Sequence, residues 1–168
     1  KKEQFGCVLV LGGDGTLLRM AGETEDIDIP LFGINLGTVG FLTEGEVANI
    51  EEILDRLLTD DFTIEERMMV TGTVTKADGT TYRKSALNDI VISRAGFSRL
   101  IGLNVSVDGQ VLDTYEADGV VISTPTGSTG YNLSAGGPIV SPDAELLVIT
   151  PVSPHSLTAK SIVLSGKE

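Results

Sequence analysis

Apolar residues follow two different patterns along this chain, and the pattern changes near residue 61. The first part contains short, continuous apolar runs at Val8–Leu11 and at residues 29–34, which are typical of buried parallel strands. Between residues 46 and 58 the apolar positions recur at a spacing near 3.6, which predicts an amphipathic helix that packs on the sheet. From residue 62 onward apolar and polar residues alternate, and this period predicts a second part that is rich in strands.

Two Asp-Gly pairs lie in the second part of the chain, where apolar and polar residues alternate. Asp78-Gly79 and Asp108-Gly109 each lie between two strand-like runs, and this arrangement is typical of β-hairpins. A further segment with two prolines, residues 151–157, predicts a turn between two strands. The other predicted strands are residues 86–93, 119–124, 144–150 and 161–164.

These patterns predict an α/β plus all-β fold. An incomplete Rossmann-like nucleotide-binding subdomain spans residues 1–61, and a β-rich, β-sandwich-like subdomain spans residues 62–168. The chain starts almost directly at the first strand and stops just after an apolar run. We therefore expect the first subdomain to be incomplete at its amino end and the second at its carboxyl end.

Composition narrows the class of protein. The 168 residues carry a formal net charge of −12, which disfavours a nucleic-acid surface and attraction to anionic lipid, since both favour basic patches. The single cysteine, Cys7, excludes a disulfide or a cysteine zinc cluster within the chain. No run reaches the roughly 18 apolar residues of a membrane span, and no signal peptide precedes the first strand, so we expect a cytoplasmic protein.

The first strand ends in the sequence Gly-Gly-Asp-Gly-Thr at residues 12–16. This turn is predicted at the carboxyl end of a parallel strand, where α/β sheets bind ligands, and glycines let backbone N–H groups approach a phosphate. Thr16 is a candidate N-cap of the following helix. Asp14 would repel a phosphate unless it accepts a proton from the substrate or holds a metal ion, so it indicates chemistry; alternatively, it caps the helix.

Residues 124–138 form a second unusual segment, dense in Ser, Thr and Gly. Such residues offer neutral hydrogen-bond donors to a phosphate or ribose, and Tyr131 adds a flat surface for stacking. The alternative is a solvated loop between strands. From the residues alone, Asn88 and Asp89 are also typical of a turn at a strand edge, and Phe41 is typical of a core.

Taken in order, the motifs resemble those of the NAD kinase family. The glycine turn by itself is also similar to that of diacylglycerol kinases, sphingosine kinases and 6-phosphofructokinases. The later motifs narrow the resemblance, since they follow the family pattern along nearly the whole chain. They are residues 33–41, the pair Asn88-Asp89, residues 117–138 and residues 151–157.

This resemblance implies transfer of the ATP γ-phosphoryl group to the 2′-hydroxyl of the adenosine ribose of NAD, which gives NADP. It implies NAD and ATP as substrates, Mg²⁺ carried with ATP, and no dedicated metal ligands from the protein. The implied partners are small-molecule nucleotides, neither nucleic acid nor membrane, and a second or further copy in a homodimer or homotetramer.

The resemblance also implies roles for individual residues. Asp14 is the catalytic residue, which accepts the proton of the ribose hydroxyl. Asp89 stands where glutamate is commoner, so it reaches one methylene less far toward a ribose, and Gly130 stands where alanine is usual. The implied NAD-binding residues are Gly13, Gly15, Thr16, Phe41, Asn88, Asp89, Asp118, Thr129, Tyr131 and Ser134.

Two other functions compete with this hypothesis. A lipid kinase uses a similar glycine turn, but the acidic chain offers no basic face for a membrane. A non-catalytic NAD(P) sensor would keep the pocket without the chemistry, although a carboxylate near phosphate would weaken binding in such a protein.

Overall fold

The fold was analysed in a computed structural model that describes residues 6–37, 40–96, 100–156 and 158–166. Contacts within the described residues divide the chain into two compact units. The first consists of residues 6–66 and 84–86, and the second of residues 67–83 and 87–166. The boundary between residues 61 and 62 stays a prediction.

The first unit is a mixed α/β unit built on a parallel sheet. Strand β1 (Val8–Leu11) leads into helix α1 (Asp14–Glu23), and β2 (Leu31–Asn35) pairs parallel with β1. The short strand β3 (Gly45–Glu46) extends the sheet on the other side of β2, also in parallel. Helix α2 (Ile50–Leu58) follows. The predicted pair of parallel strands is therefore present.

Side chains four residues apart explain how α1 packs. Leu17 and Ala21 lie on the same helix face and are both buried, as are Val10 of β1 and Ile34 of β2. The predicted amphipathic helix begins later than expected, because Glu46 belongs to β3 and residues 47–49 form a 3₁₀ turn. No helix in the described part of the chain has the length and hydrophobicity that a membrane span requires.

The second unit is built almost entirely of strands. Its largest sheet has four strands in the order β11-β10-β9-β6, each antiparallel to its neighbour. Two further ladders, β4-β5 and β7-β8, have two strands each, and the last three residues of β5, 84–86, are counted with the first unit. The strands are β4 (Val70–Thr75), β5 (Thr81–Ala86), β6 (Asp89–Ser93), β7 (Ile101–Val107), β8 (Gln110–Ala117), β9 (Gly119–Ser123), β10 (Leu146–Val152) and β11 (Ile162–Ser165).

Both predicted hairpins are confirmed. Asp108 and Gly109 join β7 to β8 with positive φ angles of 51° and 77°, which the right-handed twist of a two-residue hairpin requires. Gly79 has a φ of 84° in the turn between β4 and β5. An Asp-Gly pair tolerates these angles better than other residues, which is why the sequence signal is reliable.

Two local predictions were wrong. Helix α1 begins at Asp14 with Gly13 as its N-cap, so Thr16 lies inside the first turn and caps nothing. Pro151 lies within β10, where it pairs with Val120 of β9, instead of in a turn. A proline is tolerated there because pairing with β11 ends at Ile149, so that side of β10 needs no N–H from residue 151.

The hydroxyl-rich segment that follows β9 is not a solvated loop, because its first five residues, 124–128, are buried and its later part is helical. It forms a 3₁₀ turn at Thr126–Thr129 and a short helix, α3 (Tyr131–Ser134). Thr124 is fully buried: its hydroxyl donates to the carbonyl of Leu87 at 2.5 Å and accepts from the N–H of Gly127 at 3.1 Å. This hydroxyl therefore fastens the turn and is not available to a ligand.

We expect Gly127→Ala to lower the free energy of unfolding by about 1–3 kcal/mol, because a β-carbon at position 127 would overlap the carbonyl of Asn88. Urea denaturation measures the change. Gly102→Ala is the matched control in β7, where a β-carbon meets nothing within 4 Å. The control should leave stability unchanged or raise it by up to about 1 kcal/mol, and equal losses in both variants would contradict the close approach.

Candidate functional site

The glycine turn of the first unit brings the backbone close to the start of α1. A β-carbon at Gly12 would overlap the side chain of Thr16, so only glycine fits there. Gly13, the N-cap, makes no side-chain cap bond, and Gly15 and Thr16 are exposed in the first helical turn. The first N–H groups of a helix have no intrahelical partner, so this turn presents donors suited to an anion.

The carboxylate of Asp14 does not cap its own helix but binds the loop that follows β2. Its Oδ2 accepts from the N–H of Phe41 at 2.7 Å. Its Oδ1 accepts from the N–H groups of Leu42 at 3.1 Å and Thr43 at 3.2 Å, with the Thr43 hydroxyl at 3.4 Å. A β-carbon at Gly40 would overlap the carboxylate. Asp14 thus joins the two glycine-rich loops of the first unit.

Phe41 lies on the surface and not in the core. Its side chain is 89% exposed, while its backbone N–H is held by Asp14. The alternative that Phe41 is a core residue is therefore wrong. A large apolar ring that is exposed to solvent, on a backbone that Asp14 holds by a hydrogen bond, is available to contact a ligand.

Asn88 and Asp89 stand at the start of β6 in the second unit. The backbone carbonyl of Asn88 accepts from the N–H of Thr124 at 2.8 Å. Its side-chain Oδ1 is buried and has no hydrogen-bond partner among the described residues, which is costly unless a ligand or water supplies a donor. A β-carbon at Gly130 would lie 3.7 Å from Asn88 Nδ2 and 3.9 Å from Asp89 Oδ2, so both side chains reach the turn.

Burial raises the pKa of Asp89 above its ordinary value. The physical cause is the loss of water around the carboxylate, which disfavours the charged form. A hydroxyl of a bound sugar would restore part of the lost solvation.

Side chains in the turn that contains α3 divide into an inner and an outer set. Ser128 and Asn132 are fully buried. The predicted binding residues Thr129, Tyr131 and Ser134 are exposed. The residues predicted to bind are therefore those that a ligand can reach.

Tyr131 and Asp118 line one open pocket of about 350 Å³ in the second unit. Arg94 lies there too, with its Nε 2.6 Å from Asp118 Oδ1 and its Nη1 donating to the carbonyl of Gly96 at 2.9 Å. Ser153, also in this pocket, has a positive φ of 47°, a strained conformation for a non-glycine residue. The pocket joins a cation, a carboxylate and an aromatic ring.

Sequence reasoning missed Arg94 and Ser153. The available signal for Arg94 was its position: it is a basic residue directly after β6 in a strongly acidic chain. Nothing local marks Ser153, because its backbone angle arises where β10 ends. Among the described residues no group of three or more His, Cys, Asp and Glu side chains could hold a metal ion.

Comparison with known proteins identifies the family. The ATP-NAD kinase N-terminal domain matches residues 1–62, and the ATP-NAD kinase C-terminal domain matches residues 87–168. This chain belongs to the NAD kinase family. A protein of Lachnoclostridium phytofermentans named NAD kinase is 51% identical over 164 residues, 96% of this chain and 58% of that protein. One of Lachnospira eligens is 48% identical, with 96% and 55% covered.

Solved structures of the NAD kinase family share the fold. The crystal structure of yeast NADH kinase complexed with NADH matches with a TM-score of 0.86 and 33% identity, over 97% of this chain and 48% of that one. An NAD kinase from Archaeoglobus fulgidus in complex with ATP matches with a TM-score of 0.79 and 36% identity, over 96% and 61%. The predicted fold class is confirmed, and the chain spans a little over half the length of the curated relatives above.

We expect Asp89→Asn to raise the melting temperature at pH 7. A raised folded-state pKa means that Asp89 contributes stability below its unfolded pKa, about 3.9, and that this contribution is lost as pH rises through the folded value. The neutral amide avoids that loss of stability, so the gain in melting temperature should disappear at about pH 3. Thermal unfolding at both pH values measures it.

Asp78→Asn is the control of opposite sign. The N–H of Thr80 donates to the Asp78 carboxylate at 2.9 Å and is the largest cause of its lowered pKa. Removing that charge should not raise the melting temperature at pH 7. A gain that persists at low pH for Asp89→Asn would mean that something other than ionisation causes it.

Proposed function

We propose that the protein carrying this chain is an NAD kinase, which transfers the γ-phosphoryl group of ATP to the 2′-hydroxyl of the adenosine ribose of NAD. The observation that carries the proposal is the match to both ATP-NAD kinase domains along most of the chain. Two relatives that are 51% and 48% identical to this chain are named NAD kinase. The two structural neighbours were solved with NADH, the reduced form of the proposed acceptor, and with ATP, the proposed donor.

In this proposal Asp14 accepts the proton of the attacking hydroxyl. Its Oδ1 is surrounded by three donors of residues 42 and 43, whereas its Oδ2 accepts one hydrogen bond from Phe41 within the described residues. A carboxylate oxygen can accept two, so Oδ2 retains a lone pair for a substrate hydroxyl. Phosphoryl transfer otherwise depends on alignment and charge stabilisation, to which the N–H groups of the glycine turn contribute.

The remaining predicted binding residues are proposed as NAD contacts on the strength of their chemistry, and six of them are also exposed: Gly15, Thr16, Phe41, Thr129, Tyr131 and Ser134. In the first unit they surround Asp14: Gly13, Gly15, Thr16 and Phe41. In the second unit the unpartnered Oδ1 of Asn88 suits a donor on the nucleotide, and the half-exposed Asp118 suits an amide. Asp89 suits a ribose, and the exposed Thr129, Tyr131 and Ser134 suit the adenine end.

Mg²⁺ carried with ATP and assembly into a homodimer or homotetramer also belong to the proposal. The described residues offer no cluster of metal ligands, so no step of the reaction is assigned to a metal held by this chain. The acidic balance of the chain, a net charge of −12, makes charge compensation at a nucleotide necessary.

A non-catalytic NAD(P) sensor is the second candidate, and one observation favours it. Because Asp14 holds the N–H groups of residues 41–43, its carboxylate has a structural use that requires no chemistry. Its presence therefore does not by itself exclude a protein that only binds.

We expect Asp14→Asn to lower turnover by about 10²- to 10⁴-fold, the usual contribution of a positioned base, with little change in NAD affinity. The assay incubates the full-length protein with Mg-ATP and NAD and detects NADP with an NADP-specific dehydrogenase. Asparagine keeps one acceptor oxygen for residues 41–43, so amide exchange at these residues should change less than in Asp14→Ala.

Asp28→Asn serves as the matched control, since Asp28 is an exposed carboxylate in the same unit, and its turnover should equal that of the wild type. If Asp14→Asn retains most of its turnover, Asp14 is structural. If the wild type binds NAD and ATP without forming NADP, the sensor is correct.

A further inference from the structure

Asn132, the second residue of α3, is a fully buried amide whose hydrogen-bonding groups are used inside the second unit. Its Nδ2 donates to the carbonyl of Ser128 at 3.0 Å and to the carbonyl of Pro138 at 2.9 Å. These two carbonyls lie on opposite sides of α3 in sequence. One side chain therefore fixes both ends of the segment between residues 128 and 138.

The side-chain oxygen of Asn132 accepts a hydrogen bond from strand β10 of the four-stranded sheet. Thr150 of β10 is 1% exposed, and its hydroxyl donates to Asn132 Oδ1 at 2.7 Å. The Thr150 oxygen also lies 2.9 Å from the hydroxyl of Ser161, and because each hydroxyl has one proton, Ser161 donates in that bond. Strand β10 pairs with β9 and β11, so Asn132 is tied to an inner strand.

The surrounding backbone leaves Asn132 no room to move. A β-carbon at Gly137 would overlap the amide of Asn132, so the glycine at this position permits the close approach. The hydroxyl of Ser128 accepts a hydrogen bond from the N–H of Val140 at 3.1 Å, which is a second link across the same segment. Such a fully satisfied buried network holds one conformation.

The neighbours of Asn132 in sequence face the opposite way. Tyr131 is 44% exposed and lines the pocket that contains Arg94 and Asp118. Thr129 and Ser134 are also exposed. A buried, hydrogen-bonded side chain thus lies in the same short segment as three exposed side chains that a ligand can reach.

We propose that Asn132 is a positioning residue, which holds Thr129, Tyr131 and Ser134 in the arrangement that binds the nucleotide. This inference rests on the proposed function. A preformed surface binds more tightly because the side chains do not have to be ordered when the ligand arrives. Loss of the anchor should therefore weaken nucleotide binding more than it affects the chemical step.

The test measures KM for NAD, kcat and melting temperature in the full-length protein. Asn132→Asp keeps the volume but replaces the Nδ2 donors with an acceptor that faces two carbonyl oxygens. Thr150→Val removes the donor to Asn132 Oδ1 and provides a milder variant if Asn132→Asp does not fold. NADH fluorescence titration gives the dissociation constant independently of turnover.

Tyr115→Phe is the matched control for a merely structural effect. Tyr115 is also buried in the second unit, and its hydroxyl donates to the carbonyl of Lys160 at 3.3 Å, a hydrogen bond that involves neither Asn132 nor Thr150. It should lower the melting temperature about as much as Thr150→Val while KM for NAD stays within about twofold of the wild type.

We expect Asn132→Asp to raise KM for NAD by about tenfold or more, and Thr150→Val by a smaller factor, with kcat within about threefold of the wild type. If both anchor variants lower the melting temperature but leave KM unchanged, or if Tyr115→Phe raises KM equally, Asn132 is structural only. A wild type that binds no nucleotide would instead contradict the proposed function, and this is seen before any variant is compared.

Discussion

Backbone N–H groups in the loops of the first unit need acceptors, and the carboxylate of Asp14 supplies them. The loop after β2 has no regular secondary structure at residues 40–44, so its N–H groups have no partners in a ladder. Asp14 accepts three of them, across 27 to 29 residues of sequence. At position 40 this arrangement leaves no room for a β-carbon, which would overlap the Asp14 carboxylate, and at position 12 the side chain of Thr16 excludes one.

The second unit meets the same requirement with neutral groups. The hydroxyl of Thr124 bonds to the backbone of Leu87, and that of Ser128 bonds to the backbone of Val140. The amide of Asn132 donates to the carbonyls of Ser128 and Pro138. Neutral partners avoid the large cost of burying an unpaired charge. They also add nothing to the charge of an already acidic chain, which matters where a negatively charged nucleotide would bind.

The carboxylate of the first unit and the neutral hydrogen-bonding groups of the second unit have different consequences for a binding surface. A carboxylate that holds a loop and retains a lone pair can both order the loop and take part in a reaction. A neutral buried network can only order, but it does so without competing for the ligand, because its polar atoms point inward. Tyr131 and Asn132 show the difference within one short helix. They are adjacent in sequence, yet Tyr131 is exposed and Asn132 is buried.

Much of this protein could be predicted from local sequence alone. The parallel strands, the glycine turn, both hairpins and the family follow from short patterns in which one backbone geometry is strongly preferred: an apolar run, a turn that needs glycine, or an Asp-Gly pair. Tertiary structure alone decided which polar side chains face inward. Thr124 and Thr129 are the same residue type, yet one is buried and the other exposed. In an irregular turn no period fixes the direction of a side chain, and partners such as Asp14 with Phe41, or Asn132 with Thr150, are distant in sequence, so folding alone brings them together.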